Sequence, residues 1–497
     1  MTQKHTRREF LGAAAASTAG SVLASSALAQ DAKAPAPTTS PPGERPVRIV
    51  VIGINGQGNS LANSFAKYPG AQLTGLCDVD ARVLARRADE FEKKGITTRR
   101  YADPREVFAD EEVDAVVIAT PNHTHSLLAV WGLEAGKHVY VEKPVSHVVK
   151  EGRAIVDAAE RTGLVCQCGT HGRSSNAIQQ AIAFVHDGGI GKVTCSRGLC
   201  YKPRRSIGLV EGSQFAPSSL DYDRWLGPVA YMPLDRNRLH YDWHWNLHTG
   251  NGDLGNQGIH QMDIARWALG EQSLPKRASS VGCRLGYVDN ADTPNTQVVM
   301  LEYDSAPLIF EVRGLPANTA EQTGKWTMDR FQGQSIGNLV HGEGGTVRIS
   351  NNYGYADAID NDGKKIAEWK GGGDHRRNFV DAVRAKDPTM LNGPIIDGHL
   401  SSACCHVGLV SHQLGTTATP SAVDKATDSS LEFRDAWNRM RAHLEANGIN
   451  VSATPVTVGR VIDIDIDREV AIRDPEANTM FTRECREPFT FPGGLPA

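Results

Sequence analysis

A doubly wound parallel α/β domain, followed by an α+β domain with a mostly antiparallel open sheet and helices on one face, is the architecture the sequence predicts. Three observations predict it. Between Val47 and Cys168, short β-branched runs alternate with helix-length segments, the pattern of a parallel sheet covered on both faces. From about Gly191 the alternation stops, and strand candidates follow at 192–201, 277–285, 296–303 and 307–314, which favours antiparallel pairing. Finally, 497 residues exceed what one hydrophobic core ordinarily holds.

The front end comes first. Thr6-Arg7-Arg8-Glu9-Phe10-Leu11 sets paired arginines before a weakly apolar run, 11–29, that ends Ala27-Leu28-Ala29, a small-x-small cleavage pattern. Residues 1–29 therefore predict a twin-arginine export signal, a receptor-read address for folded proteins. A Sec signal with two incidental arginines and an uncleaved anchor are the alternatives. Residues 30–46 read as a Pro-rich linker. A periplasmic or exported location is expected, with the export machinery as a partner.

Composition excludes several classes. With 40% hydrophobic and 22% charged residues, a disordered or fibrous chain is ruled out. Lys plus Arg number 53 against 57 Asp plus Glu, a net charge of −4, which argues against a nucleic-acid partner. Nine cysteines form no staple pattern. Cys166-x-Cys168 on a predicted strand and Cys404-Cys405 on a predicted helix lack the companion Cys/His pair that zinc requires. Buried free thiols and no metal site are expected.

The strand from Val47 ends at Gly53-Ile54-Asn55-Gly56-Gln57-Gly58, a helical pattern runs to about Tyr68, and a second strand (72–77) ends at Asp78. Strand, glycine turn, helix, strand and acid form the dinucleotide fingerprint. The glycines let the backbone approach a pyrophosphate, and the helix N-terminus supplies amides. Asp78 suits a ribose 2′-hydroxyl and repels a 2′-phosphate, and no arginine stands directly beside it, so NAD is expected and NADP disfavoured. Asn55 replaces the middle glycine; Asn tolerates positive φ, and Gly56 offers a further close approach. Strands at 113–119, 137–141 and 164–168, with helices at 122–135 and 147–161, complete an NAD-binding Rossmann domain over 47–170.

At successive strand ends stand Ala119-Thr120-Pro121-Asn122-His123-Thr124-His125, Ala135-Gly136-Lys137-His138-Val139 and Glu142-Lys143-Pro144. Gly169-Thr170-His171-Gly172-Arg173-Ser174 and the stretch from Gly250 to Asp263 follow. This ordered set resembles the glucose–fructose oxidoreductase / inositol dehydrogenase (Gfo/Idh/MocA) family of NAD(P)-dependent sugar enzymes. Glu476-Ala477-Asn478 and Arg486-Glu487-Pro488-Phe489 resemble a secreted bacterial subgroup of it. The resemblance implies cofactor contacts from Gly53, Asn55, Gly56, Gln57, Gly58, Asp78, Thr120, Pro121, Asn122, His125, Glu142 and Lys143. It also implies that Lys143 and His260 flank the reacting hydroxyl, and that a sheet domain (171–492, with C-terminal helices and tail) serves substrate binding and oligomerisation.

Oxidising a secondary alcohol needs a base at the hydroxyl and a donor to steady its oxygen. A partly desolvated Lys143 has a lowered pKa, and His260 has one suited to proton exchange. Asn256 lies four residues before His260, on the same helix face. The family's pattern has Asp where this chain has Asn256, and an amide orients a hydroxyl but takes no proton. His171, Arg173, Trp243 and Asp263 are candidate substrate contacts, while the Trp residues of this region also read as ordinary core. The expected activity is hydride transfer between a sugar, glycoside or polyol ring hydroxyl and a tightly bound nicotinamide cofactor, in a homo-oligomer. A redox-assisted glycosidase (oxidation, elimination, reduction) and a non-catalytic sugar sensor are the alternatives.

Overall fold

The computed structural model describes residues 45–496; the expected signal peptide and nearly all of the linker lie outside the described residues. Six parallel strands open the fold: β1 (Val47–Ile52), β2 (Ala71–Cys77), β3 (Arg99–Tyr101), β4 (Ala115–Ile118), β5 (His138–Val141) and β6 (Cys166–Cys168). Their spatial order is β3-β2-β1-β4-β5-β6. The winding therefore reverses between β1 and β4, where the C-terminal strand ends leave a crevice. Ile49, Val50 and Val51 of β1 and all four residues of β4 are buried, as a sheet covered on both faces demands.

The connecting helices are α1 (Gln57–Phe65), α2 (Ala81–Glu92), α3 (Pro104–Ala109), α4 (His125–Glu134) and α5 (Val149–Thr162). Asp80 caps α2 by accepting from the Arg82 and Val83 amides, and Asp103 caps α3 with Pro104 at its first position. α5 ends at Gly163 in the left-handed conformation. These sharp ends hold the turns after β2 and β3 at the crevice rim.

A twelve-stranded sheet follows, entered through helix α6 (Asn176–His186). Its centre is β7 (Val193–Tyr201), β8 (Arg277–Cys283), β9 (Thr296–Glu302) and β10 (Leu308–Arg313). Pairing is antiparallel except between β10 and β7, which run parallel. Beyond β7 lie β11 (Ile336–Gly342), β12 (Gly345–Ser350), β13 (Tyr355–Asp360) and β14 (Lys365–Lys370), which the sequence did not announce. β14 is an edge strand with no buried residue, so its pattern carries little apolar signal.

Between β7 and β8 the chain makes an excursion containing α7 (Tyr222–Leu226), α8 (Gly252–Asn256) and α9 (Gly258–Leu269). α9 and the long helix α10 (Ile395–Gln413) pack on one sheet face through Ile259, Met262, Val299, Phe310 and Val407. α11 (Leu431–Ala446) covers the opposite face through Phe433, Trp437 and Met440, so helices are not confined to one side. All nine cysteines are free thiols and eight are buried. Among the described residues no helix is long and apolar enough to cross a membrane.

Candidate active site

A cavity of about 300 Å³ runs along the C-terminal ends of β1 to β5, lined by the loops there and by later segments. Gly53 leaves β1 at φ +81°, and a Cβ there would stand 2.8 Å from the Thr120 nitrogen. At Gly58 a Cβ would meet the Gly53 carbonyl at 1.8 Å, so only glycine lets the turn close onto α1. No atom lies within 4 Å of a Cβ placed on Gly56, which leaves room for a phosphate group. Gly56 caps α1 without a side-chain bond, and the first amides of a helix have no partner inside it.

The positive φ that suits Asn55 is not used; within this turn only Gly53 adopts it. Asn55 instead holds two arginines of α2. Its Oδ1 accepts from Arg86 Nη2 at 2.9 Å and its carbonyl from Arg87 Nη2 at 2.8 Å. Arginines thus do stand at the turn, reached from α2, and discrimination against a 2′-phosphate falls on Asp78. That carboxylate lines the cavity and accepts from the Ile54 amide at 2.9 Å and the Asp80 amide at 3.0 Å. Burial pushes its pKa upward. An open cradle, helix amides and a carboxylate after β2 together fit a dinucleotide.

Thr120, Pro121, His125, Glu142 and Lys143 continue the lining. Glu142 accepts from Gln57 Nε2 at 3.0 Å and from the Lys143 amide at 3.2 Å, which ties α1 to the loop after β5. His125 places its two ring nitrogens 2.7 Å from the carbonyls of Pro144 and Thr120. It braces the loops after β4 and β5, and burial keeps its pKa low. Asn122 departs from expectation: its amide donates to Asn251 Oδ1 and it is absent from the cavity lining.

At the far end Lys143 Nζ donates to the Asn256 carbonyl at 3.0 Å. The backbone carbonyl of Asn256, not its side-chain amide, therefore positions the ammonium. Burial lowers the Lys143 pKa, Glu142 opposes the shift, and Lys202 and Arg204 reinforce it. His260, one turn further on, is 8% exposed. Its ring lies edge-on to His171 at 4.8 Å and 5.9 Å from Tyr353, with no hydrogen bond to the ring among the described residues. Burial first, then the Lys143 charge, holds its pKa well below the ordinary value, so the ring is neutral at pH 7. His171 keeps an exposed surface, and neither it nor His260 is among the residues that line the cavity.

Of the candidate substrate contacts, Trp243 lines the cavity. Arg173 and Asp263 do not; they bond each other at 2.9 Å, with Asp397 and Ser401 completing the cluster. Their charges are spent inside the fold. Arg204 is likewise taken by Asp253, through contacts of 2.7 and 2.6 Å.

Sequence reasoning overlooked His240 and Phe489 in the lining and Tyr353 beside His260. His240 reaches Asp80 Oδ2 at 3.0 Å, and Tyr353 arrives from a hairpin between β12 and β13. Only tertiary packing brings these residues in; the Arg486-Glu487-Pro488-Phe489 motif marks the tail but not its place in the cavity.

Residues 47–170 match the Gfo/Idh/MocA oxidoreductase family's NAD-binding Rossmann fold, and residues 193–311 match that family's C-terminal α/β domain. The chain belongs to the Gfo/Idh/MocA oxidoreductase family. A glycosyl hydrolase family 109 protein of Shewanella baltica is 34% identical over 174 residues, 32% of this chain and 38% of that protein. An α-N-acetylgalactosaminidase of Shewanella oneidensis gives the same figures. The match thus spans well under half the length of these curated relatives. Among solved structures, the WlbA dehydrogenase of Bordetella pertussis in complex with NADH and UDP-GlcNAcA aligns with a TM-score of 0.51 at 18% identity, covering 72% of this chain and 94% of that one. The aldose-aldose oxidoreductase of Caulobacter crescentus aligns at 0.53 and 17%, covering 72% and 95%. At such identities the likeness is one of fold. Within the family frame, the first sheet is the NAD-binding domain.

Proposed function

We propose that this Gfo/Idh/MocA protein is an NAD-dependent oxidoreductase that moves a hydride between a ring hydroxyl of a sugar, glycoside or polyol and a tightly held cofactor. The observation that carries this is the continuity of one cavity. It joins the glycine turn and Asp78 at one end to Lys143 and Asn256 at the other.

When bound, NAD supplies a hydride acceptor for the carbinol hydrogen. The residues of this chain do the rest. Gly53, Gly56 and the α1 amides hold the diphosphate, Asp78 a ribose, and Thr120 and Glu142 the stretch toward Lys143. Lys143, as a neutral amine, takes the hydroxyl proton; its lowered pKa makes that form accessible. His260, a neutral imidazole, donates its N–H to the same oxygen. Trp243 offers an aromatic face to the apolar face of a sugar ring.

Dinucleotide released from denatured, purified protein tests the cofactor: a stoichiometric amount is expected, and protein that comes out empty and works only with millimolar NAD contradicts a tightly held one. Lys143→Ala is expected to abolish turnover while leaving NAD bound. Unchanged turnover in that variant discards the mechanism.

A second reading has a specific observation behind it, because the Shewanella relatives are named as glycosidases. In a redox-assisted glycosidase, oxidation at C3 acidifies the C2 hydrogen, elimination of the aglycone leaves a C1–C2 enone, water adds at C1, and the stored hydride returns to C3. Product analysis on aryl glycosides separates the two: release of the aglycone supports the glycosidase, a keto-glycoside the dehydrogenase. We further propose twin-arginine export and assembly of like subunits. Mature N-terminal sequence from a periplasmic fraction and sedimentation of the purified protein test these.

A further inference from the structure

The cavity is finished by a residue from the far end of the sequence, Phe489. Its axis follows the sheet order, from Lys143 after β5, past Thr120 after β4 and Gly53 after β1, to Asp78 after β2 and Pro104 after β3. A carboxylate ending β2 suits a ribose, so the base carried by that ribose lies on the β3 side. There the lining becomes apolar, through Pro104, Leu127, Leu128, Trp131 and Phe489. A flat heteroaromatic base fits such a slot.

Phe489 belongs to the C-terminal tail and is 7% exposed. It stacks on Trp131 with ring centroids 6.5 Å apart and planes 22° from parallel. Trp131 Nε1 donates to the Thr490 carbonyl at 3.1 Å. Two arginines pin the segment on either side. Arg483 pairs with Glu151 on α5. Arg486 crosses the Phe489 ring at 4.9 Å and donates to the Val229 carbonyl and to Asp223, each at 2.7 Å. The excursion that receives Arg486 also supplies Arg224, Trp225, Gly227 and Pro228 to the lining. Tail and excursion thus hold one another over the base end.

We propose that the C-terminal tail, residues 482–491, is the outer wall of the base subsite and the element that keeps the dinucleotide resident. Phe489 and Trp131 close the apolar end, and the cofactor leaves only when the tail lifts. The inference rests on the reading of the crevice as an NAD site.

The test compares the full chain, Phe489→Ala and a chain ending at Thr482, each checked by circular dichroism. Bound NAD is measured after exhaustive dialysis, and its release rate by dilution into competing labelled NAD. The full chain is expected to keep its dinucleotide. Phe489→Ala, whose tail stays pinned by Arg483 and Arg486, is expected to release it at least about tenfold faster. The shortened chain is expected to come out empty and to regain activity with added NAD. Equal release from the full chain and Phe489→Ala overturns the tail's role while leaving the NAD reading intact. A full chain that binds no NAD at any concentration overturns that reading and the proposal with it.

Discussion

The two ends of the crevice are built on opposite principles. At the base end, apolar side chains close around a slot, and a tail from the far end of the sequence is pinned across it by arginines. At the reaction end, polar groups gather with few bonds among themselves: Lys143 rests on a carbonyl, Lys202 on the Gln257 amide oxygen, and His260 on aromatic rings alone. An apolar end closed by a pinned tail favours retention, while a polar end with few internal bonds leaves its donors for a substrate. The contrast shows in two histidines. His123 is fully buried with its ring nitrogens 2.9 Å from the Trp225 carbonyl and 3.2 Å from the Thr249 carbonyl, and the single N–H of the neutral ring, donated to one of them, fastens the excursion to the Rossmann domain. His260 has no such bonds.

The largest expected effect sharpens that distinction through acid stability. Burial drives His123, His244 and His406 each down to about 3, against about 6.5 in an unfolded chain. Below pH 6.5 the unfolded state therefore binds more protons than the folded one, and stability falls as pH falls. Each histidine costs up to ~1.4 kcal/mol per pH unit until its folded pKa is reached. Denaturant titrations from pH 7 to 5 are expected to show the unfolding free energy falling by several kcal/mol in all. His123→Gln, which keeps a donor without the titrating ring, is expected to flatten part of this slope. An unchanged slope would assign the acid sensitivity elsewhere.

A smaller effect separates structural charge from substrate contact. Arg173→Met leaves Asp263 buried without its cation, and removing one partner of a buried pair costs about 3–5 kcal/mol. The expected outcome is a lowered melting temperature with little change in KM for any substrate that the remaining folded enzyme turns over. A large KM change at undiminished stability would return Arg173 to the substrate site.

These regions also differ in how far the sequence revealed them. Gly53, Gly58 and Asp78 are legible because a tight turn against α1 admits no side chain and a strand-end carboxylate faces the crevice, both local requirements. Lys143 and His260 were legible as members of spaced motifs. The strands β11 to β14 were not: the edge strand β14 buries no residue, and β11 interrupts its apolar run with Gly337, Asn338 and His341. Phe489 was not either: its role arises from packing against Trp131, 358 positions earlier, and nothing in its neighbours announces a cavity. Arg173 and Asp263 misled because both lie in conspicuous polar motifs, and only the folded chain shows the one neutralising the other.

The most local prediction concerns how Lys143 is tuned. Lys202 Nζ sits 2.5 Å from Gln257 Oε1 and pairs with no carboxylate among the described residues, while Lys143 holds the carbonyl of the adjoining Asn256. Two ammonium groups are thus anchored on consecutive residues, and each disfavours the charged form of the other. In the native protein this repulsion adds to burial in lowering the Lys143 pKa. Lys202→Met removes the repulsion and keeps the length of the chain, so the Lys143 pKa must rise. A smaller fraction of the amine is then neutral at pH 7, and the ascending limb of the kcat profile moves to higher pH, with the plateau rate at high pH little changed. A limb that stays in place, with kcat lowered equally at every pH, would show that Lys202 holds Gln257 for structural reasons and leaves the basicity of Lys143 to burial alone.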